Sequence, residues 1–222
     1  MRTNKAGIHL LLAVAIMIVG EPRIVCGDDE EDSNPIRNYL ESLVPKGAKI
    51  YFHERLSKEG RVVCRQQAVY ETDLDGDGDF EVIILTIAKE EHMVDMLRAI
   101  VVDKVKEKTG LTKQVVQRFE LDGSYLWDND AVNFVDLDGD GSTEAVFSAA
   151  MSASCGPHLN VISKKAGHGE EVIYEASSPY FNSDYTKVEG NKLLVKQRHK
   201  KDWERVVATR NDQGSLRITS TP

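Results

Sequence analysis

A nine-residue pattern occurs twice in this chain, as "DLDGDGDFE" at residues 73–81 and as "DLDGDGSTE" at residues 136–144. Each copy alternates carboxylates with glycines and runs straight into an apolar segment, "EVIILTI" or "EAVFSAA". No other feature restricts the fold as much. Two unit charges roughly 4 Å apart repel by about 4 kcal/mol at an effective dielectric near 20. Several carboxylates in one turn would therefore loosen it or take up protons. A dication among them removes the conflict, and its binding free energy becomes folding free energy.

In the first copy Asp73, Asp75 and Asp77 hold places 1, 3 and 5, Gly76 and Gly78 places 4 and 6, and Glu81 place 9. Asp136, Asp138, Asp140, Gly139, Gly141 and Glu144 repeat this register. Hard oxygens at alternate positions suit Ca²⁺, which takes about 6–8 oxygen ligands in a flexible shell. The glycines allow positive φ, so the backbone can curl around an ion. Place 7, Asp79 or Ser142, would offer a backbone carbonyl. An EF-hand needs a bidentate Glu at place 12 and flanking helices, whereas place 12 here is Ile84 or Phe147, inside apolar runs. The alternative is a pair of solvated Asp-Gly turns. Two copies in one register favour the ion.

The rest of the chain reads mainly as β. "SNPIRNYLESLVPKG" predicts a short helix, with Asn34 as cap, Pro35 at its first position and Ile36, Leu40, Leu43 and Val44 as an apolar stripe. "AKIYFHERL" and "RVVCRQQAVYET" predict a hairpin around "SKEG", and "RAIVVDKV" and "LTKQVVQRFEL" another around "KEKTG". "EEHMVDMLRAIVVDKV" also carries helical spacing, but a loop followed by a strand is preferred. "HLNVISKK" with "EEVIYEAS", and "NKLLVKQRH" with "WERVVATR", supply further strand pairs.

The strands repeat with the loops. "EVIILTI" corresponds to "EAVFSAA", "AIVVDKV" to "LNVISKK", and "QVVQRFE" to "EEVIYEA". Four short strands per unit fit a propeller blade or similar antiparallel sheet, and the length leaves room for roughly three such units, below the usual minimum of four blades. The expectation is an antiparallel four-stranded repeat forming an incomplete β-propeller or a compact β-sheet stack, with one short N-terminal helix.

The D-x-D-G-D-G-x-x-[DE] loop followed by an aliphatic strand resembles the FG-GAP/VCBS repeat, the calcium-loop unit of integrin α-chain propellers and many exported bacterial proteins. The resemblance covers roughly residues 65–180 and is strongest in the two loops. It implies Ca²⁺ at Asp73, Asp75, Asp77, Asp79 and Glu81, and at Asp136, Asp138, Asp140, Ser142 and Glu144. The Phe-Gly and Gly-Ala-Pro elements that name the repeat are missing here, and only two units carry the loop.

Export is expected from the start of the chain. Arg2 and Lys5 precede an apolar run from Ile8 to Gly20, too short for the roughly 20 residues of a membrane span. Residues 1–27 read as a signal peptide, with cleavage after Gly27 preferred to cleavage after Gly20, and residues 28–34 as an acidic linker before a domain at 35–222. Arg23 and Val25 do not suit a lipid-attachment site at Cys26. Removing residues 1–27 would shift the net charge from −8 to about −10, because Arg2, Lys5 and Arg23 outnumber Glu21. The location would be periplasmic or extracellular, with no stable membrane span. There Cys64 and Cys155 could pair as a disulfide or remain thiols.

The negative charge argues against a nucleic-acid partner. With 41% hydrophobic residues the chain can fill a core, so wholesale disorder is not expected. No phosphate loop, G-x-S-x-G elbow or H-E-x-x-H helix occurs. His53, His92, His158, His168 and His199 lack ligand spacing and read as surface or turn residues. Cys155 and His158 in "SASCGPH" have no acidic orienter nearby in sequence. Trp127 and Trp203 read as core or edge cover. The preferred function is a non-catalytic exported calcium module that binds a protein or glycan or serves as scaffold. The alternatives are a subunit that self-associates through sheet edges and a secreted metal-assisted hydrolase.

Overall fold

Leu40 and Leu43 lie on one side of a nine-residue helix, α1 (Pro35–Leu43), and with Val44 just beyond its end they pack on Ile50, Ile84, Ile100 and Val102. Beyond it the chain turns at Gly47, whose φ of 88° lies in the region glycine tolerates without penalty. A computed structural model describes residues 35–57, 59, 61–88, 95–106, 112–127, 131–152, 157–165, 174–177, 183–197, 201–211 and 215–222. The expected signal peptide, linker, Asn34, His92, Cys155, His168 and His199 lie outside these residues.

Among the described residues the regular elements after α1 are all strands, paired antiparallel. Sheet one contains β1 (Ala48–Ile50), β4 (Val69–Thr72), β5 (Glu81–Ala88), β6 (Met96–Lys106) and β7 (Thr112–Glu120), while β2 (Phe52–Leu56) and β3 (Val62–Gln67) form a separate hairpin. Sheet two contains β8 (Tyr125–Leu126), β9 (Val132–Val135), β10 (Glu144–Ala150), β11 (Pro157–Lys164) and β12 (Tyr174–Ser177). Sheet three is the meander β13 (Ser183–Glu189), β14 (Lys192–Gln197), β15 (Glu204–Arg210) and β16 (Leu216–Thr221). Among the described residues no sheet closes into a barrel. In the ambiguous segment at 90–105 the described part enters β6 at Met96, so strand wins over helix there.

The sheets stack face to face, and period-2 alternation shows how. Ile84, Ile100 and Val102 face α1, whereas Ile83, Leu85, Ala99 and Val101 join Ala145, Phe147, Ala149 and Ile162 between sheets one and two. On the opposite face of sheet two, Val146, Leu159 and Val161 meet Leu193, Val195, Val206 and Ala208 of sheet three. The order is helix, sheet one, sheet two, sheet three. Each fully buried Leu, Ile or Phe contributes roughly 1.5–3 kcal/mol relative to exposure.

Two expectations need correction. The long hairpin around "SKEG" is split. Only its middle forms β2–β3, while its outer arms, β1 and β4, both pair with β5. Tyr51 N–H donates to Leu85 O (2.8 Å), and Leu85 N–H donates to Ala68 O (2.8 Å). Because β5 is apolar on both faces, its backbone needs partners on both edges, and the two arms supply one of them. In sheet two Trp127 N–H donates to Ser148 O and Ser148 N–H to Ala131 O. Ser148 and Ala131 follow Leu85 and Ala68 by the same 63 residues that separate Asp136 from Asp73. The β2–β3 hairpin is thus an insertion into an otherwise repeated unit.

The third strand match is also shifted. Val102 pairs with Val116, and Ile162 with Ala176. Residues 114–117 therefore correspond to residues 174–177, four residues later than the sequence match to "EEVIYEA". Apolar similarity alone could not set this register, because both segments carry adjacent valine or isoleucine residues.

Candidate metal centres

The two acidic loops fold alike, hydrogen bond by hydrogen bond. Asp73 accepts Gly76 N–H at Oδ1 (2.7 Å) and Gly78 N–H at Oδ2 (3.1 Å). Asp136 accepts Gly139 N–H (2.6 Å) and Gly141 N–H (3.2 Å) in the same way. Asp75 Oδ1 accepts Asp77 N–H and Asp138 Oδ1 accepts Asp140 N–H. Asp77 accepts Asp79 N–H, and Asp140 accepts Ser142 N–H. Glu81 and Glu144, the first residues of β5 and β10, each reach back to the second loop residue, Leu74 N–H (2.5 Å) or Leu137 N–H (2.6 Å). Gly76, Gly78, Gly139 and Gly141 all have positive φ, between 75° and 92°.

This folding brings Asp73, Asp75 and Glu81 together, and likewise Asp136, Asp138 and Glu144. In each trio one ligand oxygen per residue lies within 4.8 Å of the others. The remaining sequence-predicted ligands, Asp77, Asp79, Asp140 and Ser142, stand outside the trios. Asp77 and Asp140 turn one oxygen to the backbone two residues on, and Asp77, Asp79 and Asp140 are exposed. Ser142 is buried.

Burial opposes ionisation of Asp75, Glu81, Asp138 and Glu144. Desolvation, with Asp75, Asp103 and Asp73 adding to it, pushes Glu81 up to about 8 although Leu74 N–H works against the shift. Desolvation, with Asp138 and Asp140 adding, pushes Glu144 up to about 7 despite the Leu137 and Ser163 hydrogen bonds. Asp75 and Asp138 are also raised, chiefly by burial. Carboxylates gathered at low exposure are a hard, oxygen-only donor set, and that set fits Ca²⁺.

Four groups beside the loops, Asp103, Ser163, Lys164 and Arg210, were not among the expected site residues. Asp103 on β6 is 3% exposed and accepts a hydrogen bond from Tyr174 Oη (3.3 Å). Burial raises its proton affinity too. Extending the register of β5 with β6 puts it across from Glu81, the place Ser163 takes across from Glu144. Ser163 Oγ donates to Glu144 Oε1 (2.9 Å). Each loop also receives a cation from the next sheet. Lys164 Nζ donates to Asp75 O (2.9 Å), and Arg210 Nε lies 3.6 Å from Asp138 Oδ2. Arg210 also pairs with Glu175 and donates to Lys164 O. The alternation of "AIVVDKV" could have flagged Asp103, since it shares the inward face of Ala99 and Val101. Lys164 and Arg210 come from other sheets and leave no local trace.

The loops touch. A Cβ on Gly76 would sit 3.3 Å from Ser142 Oγ, so a bare glycine lets loop one lie against loop two.

His53 is buried on β2, which corrects its reading as a surface residue. His158, on β11, pairs through Nδ1 with Asp122, an acidic partner 36 residues earlier in the chain. Asp122 N–H is itself held by Asn160 Oδ1 (2.6 Å). Trp127 stacks with Tyr125, and Lys187 Nζ sits 4.4 Å above the Trp203 ring. Cys64 is half-buried on β3.

No helix among the described residues is long and apolar enough to cross a membrane. No family model, curated protein or solved structure matches this chain.

Proposed function

We propose that this protein is an exported, calcium-binding β-repeat module without catalytic activity, acting as a scaffold or as a binder of protein or glycan. One observation carries the metal reading. Two loops at equivalent places in two stacked sheets repeat the same hydrogen bonds and each gather three carboxylates of low exposure. Ca²⁺ would be held by Asp73, Asp75 and Glu81 and by Asp136, Asp138 and Glu144, with Asp77, Asp79, Asp140 and Ser142 completing the shells. It would supply charge neutralisation and a tie between the loop and the start of the following strand. The export reading rests on the apolar run at residues 8–20.

Thermal melting in EGTA and in millimolar Ca²⁺ tests it. The midpoint is expected to rise clearly with calcium. An unchanged melt together with no calcium uptake retires the assignment. Self-association through sheet edges is the second reading, supported by sheets that stay open at their terminal strands among the described residues. A mass that is monomeric with and without Ca²⁺ removes it.

A further inference from the structure

Sheet three ends the stack, and its outer face is unlike the equivalent faces of the other sheets. Leu193, Val195, Val206, Ala208 and Ile218 point into the core with sheet two. The alternate residues therefore point outward. Pairing Leu194 with Arg205 matches Ile83 with Val101 and Val146 with Val161. The position occupied by Val101 in sheet one and Val161 in sheet two is thus Arg205 in sheet three. By the same register Lys196 stands where Leu85 and Ser148 stand, and Lys192 where Glu81 and Glu144 stand. Lys187 and Arg217 share this outer face, opposite Leu194 and Thr209. Against these five cations, among the residues whose side chains are described, the same face carries Glu189, which pairs with Lys187.

The sign is the informative part. A terminal repeat needs a polar outer face to stay soluble, and mixed charges serve that purpose best. Here residues 183–222 hold nine Lys/Arg and five Asp/Glu, a net +4, in a chain whose total is −8. A single-sign field opposed to the net charge of the molecule is a steering surface for the other sign.

We infer that the outer face of sheet three binds an acidic polysaccharide, a linear glycan carrying carboxylate or sulfate groups. Adjacent strands lie about 4.8 Å apart, so the cations, one or two on each of the four strands, are spread over a face wide enough for an extended chain with repeated acids. Tyr185, 59% exposed and paired with Lys196, offers a flat apolar ring to a sugar face. A protein partner fits less well, because interface cores are depleted in Lys and three of the five cations are Lys. Nucleic acid fits less well, because its dense phosphates would meet the net −12 of the remaining chain. The inference narrows the binding role proposed above to one partner class, but it does not require calcium in the loops.

The test is binding of the full chain to immobilised hyaluronate and dextran sulfate, with neutral dextran, poly-glutamate and oligo-dT as comparators, in Ca²⁺ and in EGTA below both melting points. Binding to the two polyanionic glycans is expected, weakening with salt and changing less than twofold between Ca²⁺ and EGTA. K196E/R205E/R217E should lose at least tenfold, and the neutral K196Q/R205Q/R217Q should lose most of that, with melting unchanged. K49E/K104E, which places acid at exposed lysines on sheet one, should stay within twofold. Failure to bind either glycan at low salt, equal binding to neutral dextran, equal loss in K49E/K104E, or tighter binding of poly-glutamate or oligo-dT would each overturn it. A glycan failure beside a calcium-raised melt rejects this face alone, and the reverse outcome rejects the metal reading alone.

Discussion

Sheets one and two join their first two meander strands through eight-residue acidic loops, closed by the pairs Thr72–Glu81 and Val135–Glu144. Sheet three makes the same connection, closed by Glu189–Lys192, with only Gly190 and Asn191 between. The meander therefore does not need a long loop. Gly190 at φ 60° suffices, a compact turn of the kind that two-residue hairpins favour. Where the loop is missing its attendants go too. Glu81 and Glu144 give way to Lys192, and Asp103 and Ser163 give way to Val207 at the position across the strand pair. Six extra residues and a set of costly carboxylates persist only in the two units whose buried glutamate has a polar neighbour. The difference teaches that the loops serve something other than chain reversal.

The largest expected effect separates the middle of the stack from its end. Phe147 and Val195 hold equivalent inward positions, but Phe147 is fully buried in a sheet covered on both faces. Phe147→Ala should cost about 3–5 kcal/mol in urea unfolding, and Val195→Ala clearly less. Equal costs would mean that the stack does not make the central sheet its keystone.

Next comes the contrast between loops and plain turn. With free Ca²⁺ at 100 times Kd, each occupied site should add about 2.7 kcal/mol. Asp75→Ala and Asp138→Ala should each remove about half of the calcium-induced rise in melting midpoint, whereas Asn191→Ala in sheet three should leave that rise intact. A rise that survives both aspartate changes places the ion elsewhere.

The pH dependence sharpens the same point. Glu81 and Glu144 have folded values raised from 4.5 to about 8 and about 7. The metal-free fold then holds protons that the unfolded chain releases. Their stabilisation is full below pH 4.5 and is lost as pH rises through about 7 and about 8. In EGTA the melting midpoint should fall between pH 5 and pH 9, and saturating Ca²⁺ should flatten the fall by keeping the carboxylates ionised. A flat profile in EGTA would show that the two glutamates are solvated.

The smallest effect distinguishes loop one from loop two. Gly76→Ala and Gly139→Ala both place a side chain at positive φ, roughly 1–2 kcal/mol. Only the first also meets Ser142, whereas Gly139 has open space around it. Gly76→Ala should therefore be the more destabilising in a thermal melt, and the reverse order would separate the loops.

Much of this architecture was legible because period-2 alternation and glycine spacing are local signals. The loops, the apolar strands after them and the helix stripe at Leu40, Leu43 and Val44 follow from nearest neighbours in the chain. β13 and β16 were not legible. "SDYTKVE" puts Tyr185 and Val188 on opposite faces, and "LRITST" has only Leu216 and Ile218 as apolar residues, so neither gives a clear alternation. Lys164 and Arg210 escaped for another reason. Their role depends on which sheet stacks on which, and that is set by side-chain packing across many residues of separation. The division of residues 48–72 between two sheets escaped likewise, since only the needs of β5 decide it.

The most direct measurement is a calcium titration of the purified chain by calorimetry, with bound metal counted independently by equilibrium dialysis. Two Ca²⁺ per chain are expected, falling to one when residues 73–80 are replaced by the Gly-Asn turn of sheet three while the fold is retained. Zero bound calcium at millimolar concentration would contradict the account, leaving the acidic loops as hydrogen-bonded turns and nothing more.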